Sequence, residues 1–214
     1  MSMDRKKKKV LSIEDPVEYE GDGISQIDVN KNQITFSEAL RSSLRLDPDV
    51  IMVGEIRDKE TAELAMKAAS TGHLVFSTLH TNGAIEAIGR LQGMGIPSDI
   101  LEENIELVSA LTLRKKLCPE CRVIRKNFSD EEVLEFSSLI GQGVELFEAS
   151  GRSCGKPGCF NGVIGRQLIT ESIGREAVSA KIRGEIVPGY RTLKECAKEY
   201  ACLGVISSKD VVGL

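Results

Sequence analysis

Three short apolar runs, each ending abruptly in a polar or charged residue, organise the first eighty positions. Val10-Leu-Ser-Ile runs into Glu14, Asp15 and Pro16; Val50-Ile-Met-Val53 stops at Gly54 and Glu55; Leu74-Val-Phe-Ser-Thr-Leu79 is followed by His80. Runs this short and rich in β-branched residues suit strands of a parallel sheet covered on both faces. Pro16 ends regular pairing after the first of them. Between the runs lie helix-start signals. Thr35-Phe-Ser-Glu38 is a capping box leading into Ala39 to Arg45, and Asp58 caps a helix over Lys59 to Ser70 whose Leu64, Ala65, Ala68 and Ala69 make a small-residue face. This alternation predicts βαβ units and an α/β fold.

Further along, the pattern predicts a helix over Ser98 to Lys116 and a short helix from the Ser129-Asp-Glu-Glu132 cap to about Ile140. After Arg166 the chain reads as helical, with a helix over Thr192 to Leu203, a break at Pro188-Gly189 and a final cap at Ser207 to Asp210. The expected division is 1–116, 117–166 and 167–214. No low-complexity tract or internal repeat is evident.

The acids at the run ends carry the first candidate chemistry. In open α/β sheets ligands bind outside the carboxyl ends of the strands, where Glu55, Glu14 and Asp15 are all placed. Polarising a water for attack on a phosphate needs such a carboxylate. Taken alone, Glu55 is equally readable as a solvated residue in a strand-to-helix loop. The only two histidines, His73 and His80, flank the third run. His80 falls on the edge that carries the acids, where it can bond a phosphate or position a water. Arg41 and Arg45, four apart, share a helix face and from spacing alone read as a solvated basic stripe.

A second signal lies in the cysteines. Cys118-Pro-Glu-Cys121 is followed after thirty-two residues by Cys154-Gly-Lys-Pro-Gly-Cys159. Two tight turns bearing paired thiols are how a chain builds a closed tetrahedral Zn2+ site. Disulfides are the alternative, disfavoured in a reducing compartment and by the lack of an apolar signal segment after the basic run Arg5 to Lys9. Cys196 and Cys202 fall on the helix expected near the C-terminus and read as packed residues.

Bulk properties narrow the field. A net charge of -4 gives no electrostatic footprint for nucleic acid, and 4% aromatic residues with no Trp make base stacking improbable. No apolar run approaches the length that spans a bilayer.

The motifs together resemble the secretion ATPases, the motors of type II secretion and type IV pilus assembly. Ile13-Glu-Asp-Pro-Val-Glu-Tyr19 is similar to their aspartate box, Leu46 to Asp58 to their Walker B segment, and Thr71 to Asn82 to their histidine box. Tetracysteine knuckles followed by Gly162-Val-Ile-Gly-Arg166 resemble the assembly and secretion branch. The resemblance implies part of a RecA-like P-loop NTPase core with a zinc-knuckle module and a small C-terminal helical subdomain. It implies ATP and Mg2+ as cofactors, Glu55, Glu14 and His80 as catalytic, and Asp15, Arg57, His73, Arg41 and Arg45 as nucleotide contacts. It also implies a homo-hexamer in the cytoplasm, peripheral to the inner membrane through a platform protein and other assembly proteins, without nucleic acid.

One departure shapes this expectation. No Gly-x-x-x-x-Gly-Lys-Ser/Thr loop occurs, and Gly155-Lys156-Pro157 is the nearest pair. In the family that loop lies upstream of the aspartate box, so the chain reads as the C-terminal part of a motor subunit, inactive alone. The Leu74 to Leu79 strand would then have an open edge. A non-catalytic zinc-containing assembly module is the main alternative reading, and a nucleic-acid translocase a more distant one.

Overall fold

The computed structural model describes residues 7–187 and 189–214. Arg5 and Lys6 of the basic run, and Pro188 of the expected break, lie outside the described residues. The first part of the chain forms β1 (Val10–Glu14), β2 (Ile24–Asp28), α1 (Val29–Asn32), α2 (Phe36–Ser43), β3 (Val50–Val53), α3 (Lys59–Ser70), β4 (Leu74–Ser77), α4 (Ala84–Gly93) and α5 (Ser98–Asn104). Then come β5 (Leu107–Leu117), β6 (Val123–Ile124), α6 (Asp130–Gly141), β7 (Phe147–Glu148), β8 (Val163–Gly174), α7 (Arg175–Ile182), α8 (Leu193–Cys202) and α9 (Lys209–Val212). These fold into two compact units. Of the described residues, one comprises those up to 81, 85–107 and 174–186; the other comprises 82–84, 108–173 and those from 187 on.

The first unit is built on a parallel sheet in the order β2-β1-β3-β4. Aspartate-box, Walker B-like and histidine-box strands are therefore neighbours. The register sets Leu11 beside Ile51 and Ile13 beside Val53, so these four share one face, and each is at most 1% exposed. Helices α2 and α3 bring Ala39, Leu40, Ala62, Ala65 and Ala68 to the core, all buried. The caps form as the residues dictate. Thr35 N–H donates to the Glu38 carboxylate at 2.8 Å while Glu38 N–H donates to Thr35 Oγ1 at 3.2 Å, and Asp58 Oδ1 accepts from Thr61 N–H at 2.8 Å. Helix α2 stops at Ser43 and tightens into a 3-10 turn, Leu44–Leu46, so no continuous helix joins Arg41 to Arg45.

The other face of this sheet is open at its β4 end. Met52, Leu74 and Phe76 share it by register and are 42%, 47% and 51% exposed. Among the described residues β4 is an edge strand. It ends at Ser77, two residues earlier than the apolar run suggests.

The second unit corrects two expectations. The helix expected over Ser98 to Lys116 is helical only as α5; from Leu107 the same stretch is the eleven-residue strand β5. The chain expected to be helical after Arg166 opens with β8. The two strands pair. Ser109 Oγ lies 2.7 Å from Ser172 Oγ, and Cys118 N–H donates to the Gly162 carbonyl at 2.8 Å, so they run in opposite directions. Leu, Ala, Arg and Lys favour a helix over 107–117, but alternate burial against a partner overrides propensity. Ile169, Glu171 and Ile173 of β8 are buried in the same two-residue rhythm. Phe136, Leu146, Ile169, Ala197, Ala201, Ile206 and Val211 form the core, drawn from α6, α8, α9 and the strand region.

A buried ion pair runs through this unit. Arg125 Nη2 donates to Glu132 Oε2 at 2.6 Å, Ser129 N–H reaches the same oxygen at 3.0 Å, and Ser208 Oγ donates to Glu132 Oε1 at 2.7 Å. Burial pushes the Glu132 carboxyl up, but Arg125, Ser129 and Ser208 together outweigh it and bring it from 4.5 down to about 2. A depressed carboxyl stabilises the fold above its unfolded value and loses that contribution as pH falls toward the folded one. The second unit should thus lose stability between about pH 4.5 and 2, and Glu132→Gln should flatten that loss. Arg125→Met alone, leaving an uncompensated buried charge, should cost roughly 3–5 kcal/mol in urea unfolding, much of it recovered by Glu132→Leu in the same chain.

Candidate functional site

Parallel pairing delivers the acids to one place. β1 and β3 end side by side, so Glu14 and Asp15 leave the sheet at the edge where Gly54 and Glu55 leave it. Gly54 makes this approach possible. Its N–H donates to the Ile13 carbonyl at 2.8 Å, and a Cβ there would lie 3.0 Å from that oxygen and 3.5 Å from Glu14 Cα. Across β3, Thr78 Oγ1 donates to the Gly54 carbonyl at 2.6 Å and Ile56 N–H to the Thr78 carbonyl at 3.0 Å. These bonds hold the segment leading to His80 against the Glu55 tip.

At that tip a cluster of charged groups forms. His80 Nε2 lies 3.1 Å from Glu55 Oε2, Arg57 Nη2 bonds Glu55 Oε1, and Arg57 Nη1 stands 3.7 Å from Asp15 Oδ2. The Glu55 side chain is 13% exposed and that of His80 85%, so the acid sits at the base and the imidazole in solvent. The Arg57 bond, with His80 adding to it, holds the Glu55 carboxyl below the usual range despite its desolvation. Glu55 is therefore an anion at neutral pH. Arg57 is pushed up in turn by Glu55. Such a carboxylate can accept a proton from a water, while the guanidinium beside it can neutralise an incoming anion.

The remaining expected residues are placed differently. Glu14 is at the same edge, but its Oε1 accepts from Ser12 Oγ at 2.6 Å and Gln26 Nε2 at 3.0 Å. His73 stands before the amino end of β4, at the opposite edge from Glu55, with Nδ1 3.0 Å from the Ala68 carbonyl and 3.2 Å from Thr71 Oγ1. It closes the end of α3 and does not join the acid cluster. Arg41 pairs with Glu60 of α3 at 2.7 Å, and Arg45 is exposed in the 3-10 turn. Ser12, Gln26 and Thr78 carry contacts at this edge that sequence reasoning missed. A polar residue within a strand was the signal for the first two.

The four cysteines of the two turns converge in the second unit. Cys118 and Cys154 sulfurs are 3.7 Å apart and those of Cys121 and Cys159 3.8 Å, with all four within 4.8 Å of one another. A tetrahedron of ~2.3 Å metal–sulfur bonds has edges of about 3.8 Å, so the donor set fits a metal ion and is compatible with a zinc knuckle. All four are free thiols. Against a lowering bond from Ser150, burial and the other three sulfurs hold Cys121 up at about 12, while the Cys154 N–H brings Cys159 down to about 7. Thiols this close do not all ionise without a cation. The chain folds here on Gly162, at φ +81°, where a Cβ would sit 2.6 Å from Ser150 N.

The model of the Type II/IV secretion system protein family matches residues 1–200. This chain belongs to that family. It is 38% identical to type II secretion system protein E of Klebsiella pneumoniae over 98% of its length, and 37% identical to the type IV pilus assembly ATPase PilB of Pseudomonas aeruginosa over 94%. It spans 43% and 37% of those two proteins, less than half of either. The crystal structure of the pilus retraction motor PilT with bound ADP is similar over 95% of the chain and 51% of PilT, with a TM-score of 0.63 and 26% identity. The fold is thus part of a RecA-like secretion ATPase core, and the secretion ATPase family member has no helix, among its described residues, long and apolar enough to cross a membrane.

Gly54→Ala tests whether close packing of the two acid-bearing tips depends on that glycine. The added methyl meets backbone, which gives little, so unfolding in urea should show a loss of about 1–3 kcal/mol.

Proposed function

We propose that this chain is the C-terminal ATPase region of a motor that couples ATP hydrolysis to pilus assembly or type II secretion. The observation that carries the reading is Glu55, ionised at the carboxyl tip of a central parallel strand and bonded to both His80 and Arg57. In hydrolysis Glu55 orients the attacking water and takes its proton as the water oxygen bonds the terminal phosphorus and the bond to the bridging oxygen breaks, releasing ADP and inorganic phosphate. His80, exposed beside it, contacts that phosphate, and Arg57 follows the developing negative charge. Mg2+, when bound, screens the phosphates; Glu14 and Asp15 would hold it through its waters.

Arg41 and Arg45, exposed on the outer side of α2 and its 3-10 turn, are proposed to reach a neighbouring subunit's nucleotide. His73, set apart by the fold, is proposed only to stabilise the end of α3. In this reading the parent subunit forms a homo-hexamer in the cytoplasm and meets the inner membrane indirectly, through a platform protein. The segments 1–116, 117–166 and 167–214 supply the nucleotide edge, the cysteine module and the C-terminal helices. The cysteine module holds a structural Zn2+ on Cys118, Cys121, Cys154 and Cys159, a closed site with no open position for a reacting group.

Two measurements test this. A subunit extended upstream through a phosphate-binding loop should hydrolyse ATP and lose most of its turnover with Glu55→Gln, while the 214 residues alone should show negligible turnover. Turnover that survives Glu55→Gln would refute the role of that acid. Metal analysis of the purified chain should give about one zinc, released by Cys118→Ser with faster amide exchange over 128–160; a metal-free preparation after gentle purification would count against the zinc module.

A further inference from the structure

Glu14 is held by neighbours that no motif identifies. Alternation along β1 and its register with β2 put Ser12, Glu14 and Gln26 on the same face of the sheet, opposite Leu11 and Ile13. Ser12 is 3% exposed, and its hydroxyl donates to Glu14 Oε1 at 2.6 Å. Gln26 donates one amide hydrogen to the same oxygen at 3.0 Å and the other to the Tyr19 carbonyl at 2.9 Å. Its own Oε1 accepts from Gly21 N–H at 2.7 Å.

Three partners fix which way this amide points. A flipped Gln26 would set its oxygen against the Glu14 carboxylate and its NH2 against the Gly21 N–H, turning every contact repulsive. The side chain thereby ties two things together: the rotamer of Glu14 and the path of the connection that leaves β1 at Asp15 and returns at β2. Tyr19, 86% exposed, is gripped by its backbone and not by its ring. Both donors take Oε1, and no hydrogen bond from a described residue reaches Oε2 of Glu14.

We infer that Gln26 is a positioning residue for the acidic edge: with Ser12 it holds Glu14 so that one carboxylate oxygen is presented to the hydrated cation of a nucleotide, and it fixes the Asp15 loop in step. The inference rests on the ATPase reading above. Gln26 itself touches neither nucleotide nor cation.

The distinguishing variant is Gln26→Glu. It keeps the shape and the bond from Gly21 N–H, but it loses both donated bonds and sets an anion against Glu14. Mn2+ serves as a spectroscopic substitute for Mg2+. In the full-length parent subunit with a non-hydrolysable ATP analogue, electron paramagnetic resonance should show Mn2+ binding weakened about 10–100-fold in Gln26→Glu and in Gln26→Leu, and less in Ser12→Ala. Nucleotide affinity at saturating Mn2+ should change little. In the 214-residue chain, Gly21 amide exchange should stay slow in Gln26→Glu and quicken in Gln26→Leu, while the Glu14 carboxyl 13C resonance moves in both. Unchanged Mn2+ affinity in Ser12→Ala and in a folded Gln26 variant would overturn the inference. Full turnover in Glu55→Gln would overturn the catalytic reading instead, and weakened Mn2+ binding would still uphold the role of Gln26.

Discussion

The register between β1 and β3 is the constraint on which the nucleotide edge depends. With Ile13 opposite Val53, the two strands release their acids within a residue of each other. A shift of one strand by one position would turn all its side chains to the other face, setting Ser12 in the place of Ile13, or Met52 in the place of Val53. The core and the chemistry are therefore fixed by one choice. Helix α2 packs on β1 and α3 on β4 and α2, and the buried alanines Ala39, Ala62, Ala65 and Ala68 take up little space in that packing.

The charge cluster follows from the same edge. Glu55 is anchored at the base by the backbone that Gly54 and Thr78 tie down, while the Arg57 and His80 side chains that reach it are 59% and 85% exposed. The acid is held in the fold and its partners face solvent, an arrangement in which an arriving anion meets the partners first. The cysteine cluster works the opposite way. There, backbone turns on both sides and the Gly162 close approach leave the sulfurs little freedom, as a structural site requires.

Much of this was legible in the residues. The three run ends announced a shared edge because each strand stops on a polar residue, and Thr35, Asp58 and Ser129 announced helix starts through the chemistry of their side chains. Paired cysteines announced their convergence. What escaped depended on partners distant in sequence. Residues 107–117 have helical composition, and only pairing with β8, some fifty residues on, makes them a strand. His80 was legible as the histidine on the acid edge, whereas His73 entered as a nucleotide contact only through the family resemblance, and the parallel sheet puts it at the other end of β4. Glu132 was legible only as part of the Ser129 cap; that the fold buries it together with Arg125 was not. Gln26 gave no sign beyond being polar in a strand, since its role lies in three contacts with backbone and one acid.

The interleaving of the two units has a consequence for descent. Each is stitched from three separate stretches, and the chain passes between them five times, once for only the three residues 82–84. Neither can be cut out, duplicated or lent to another protein as a continuous block of gene. Recombination that replaced one would have to replace the other, so the acid-bearing sheet and the cysteine-bearing unit are bound to be inherited together.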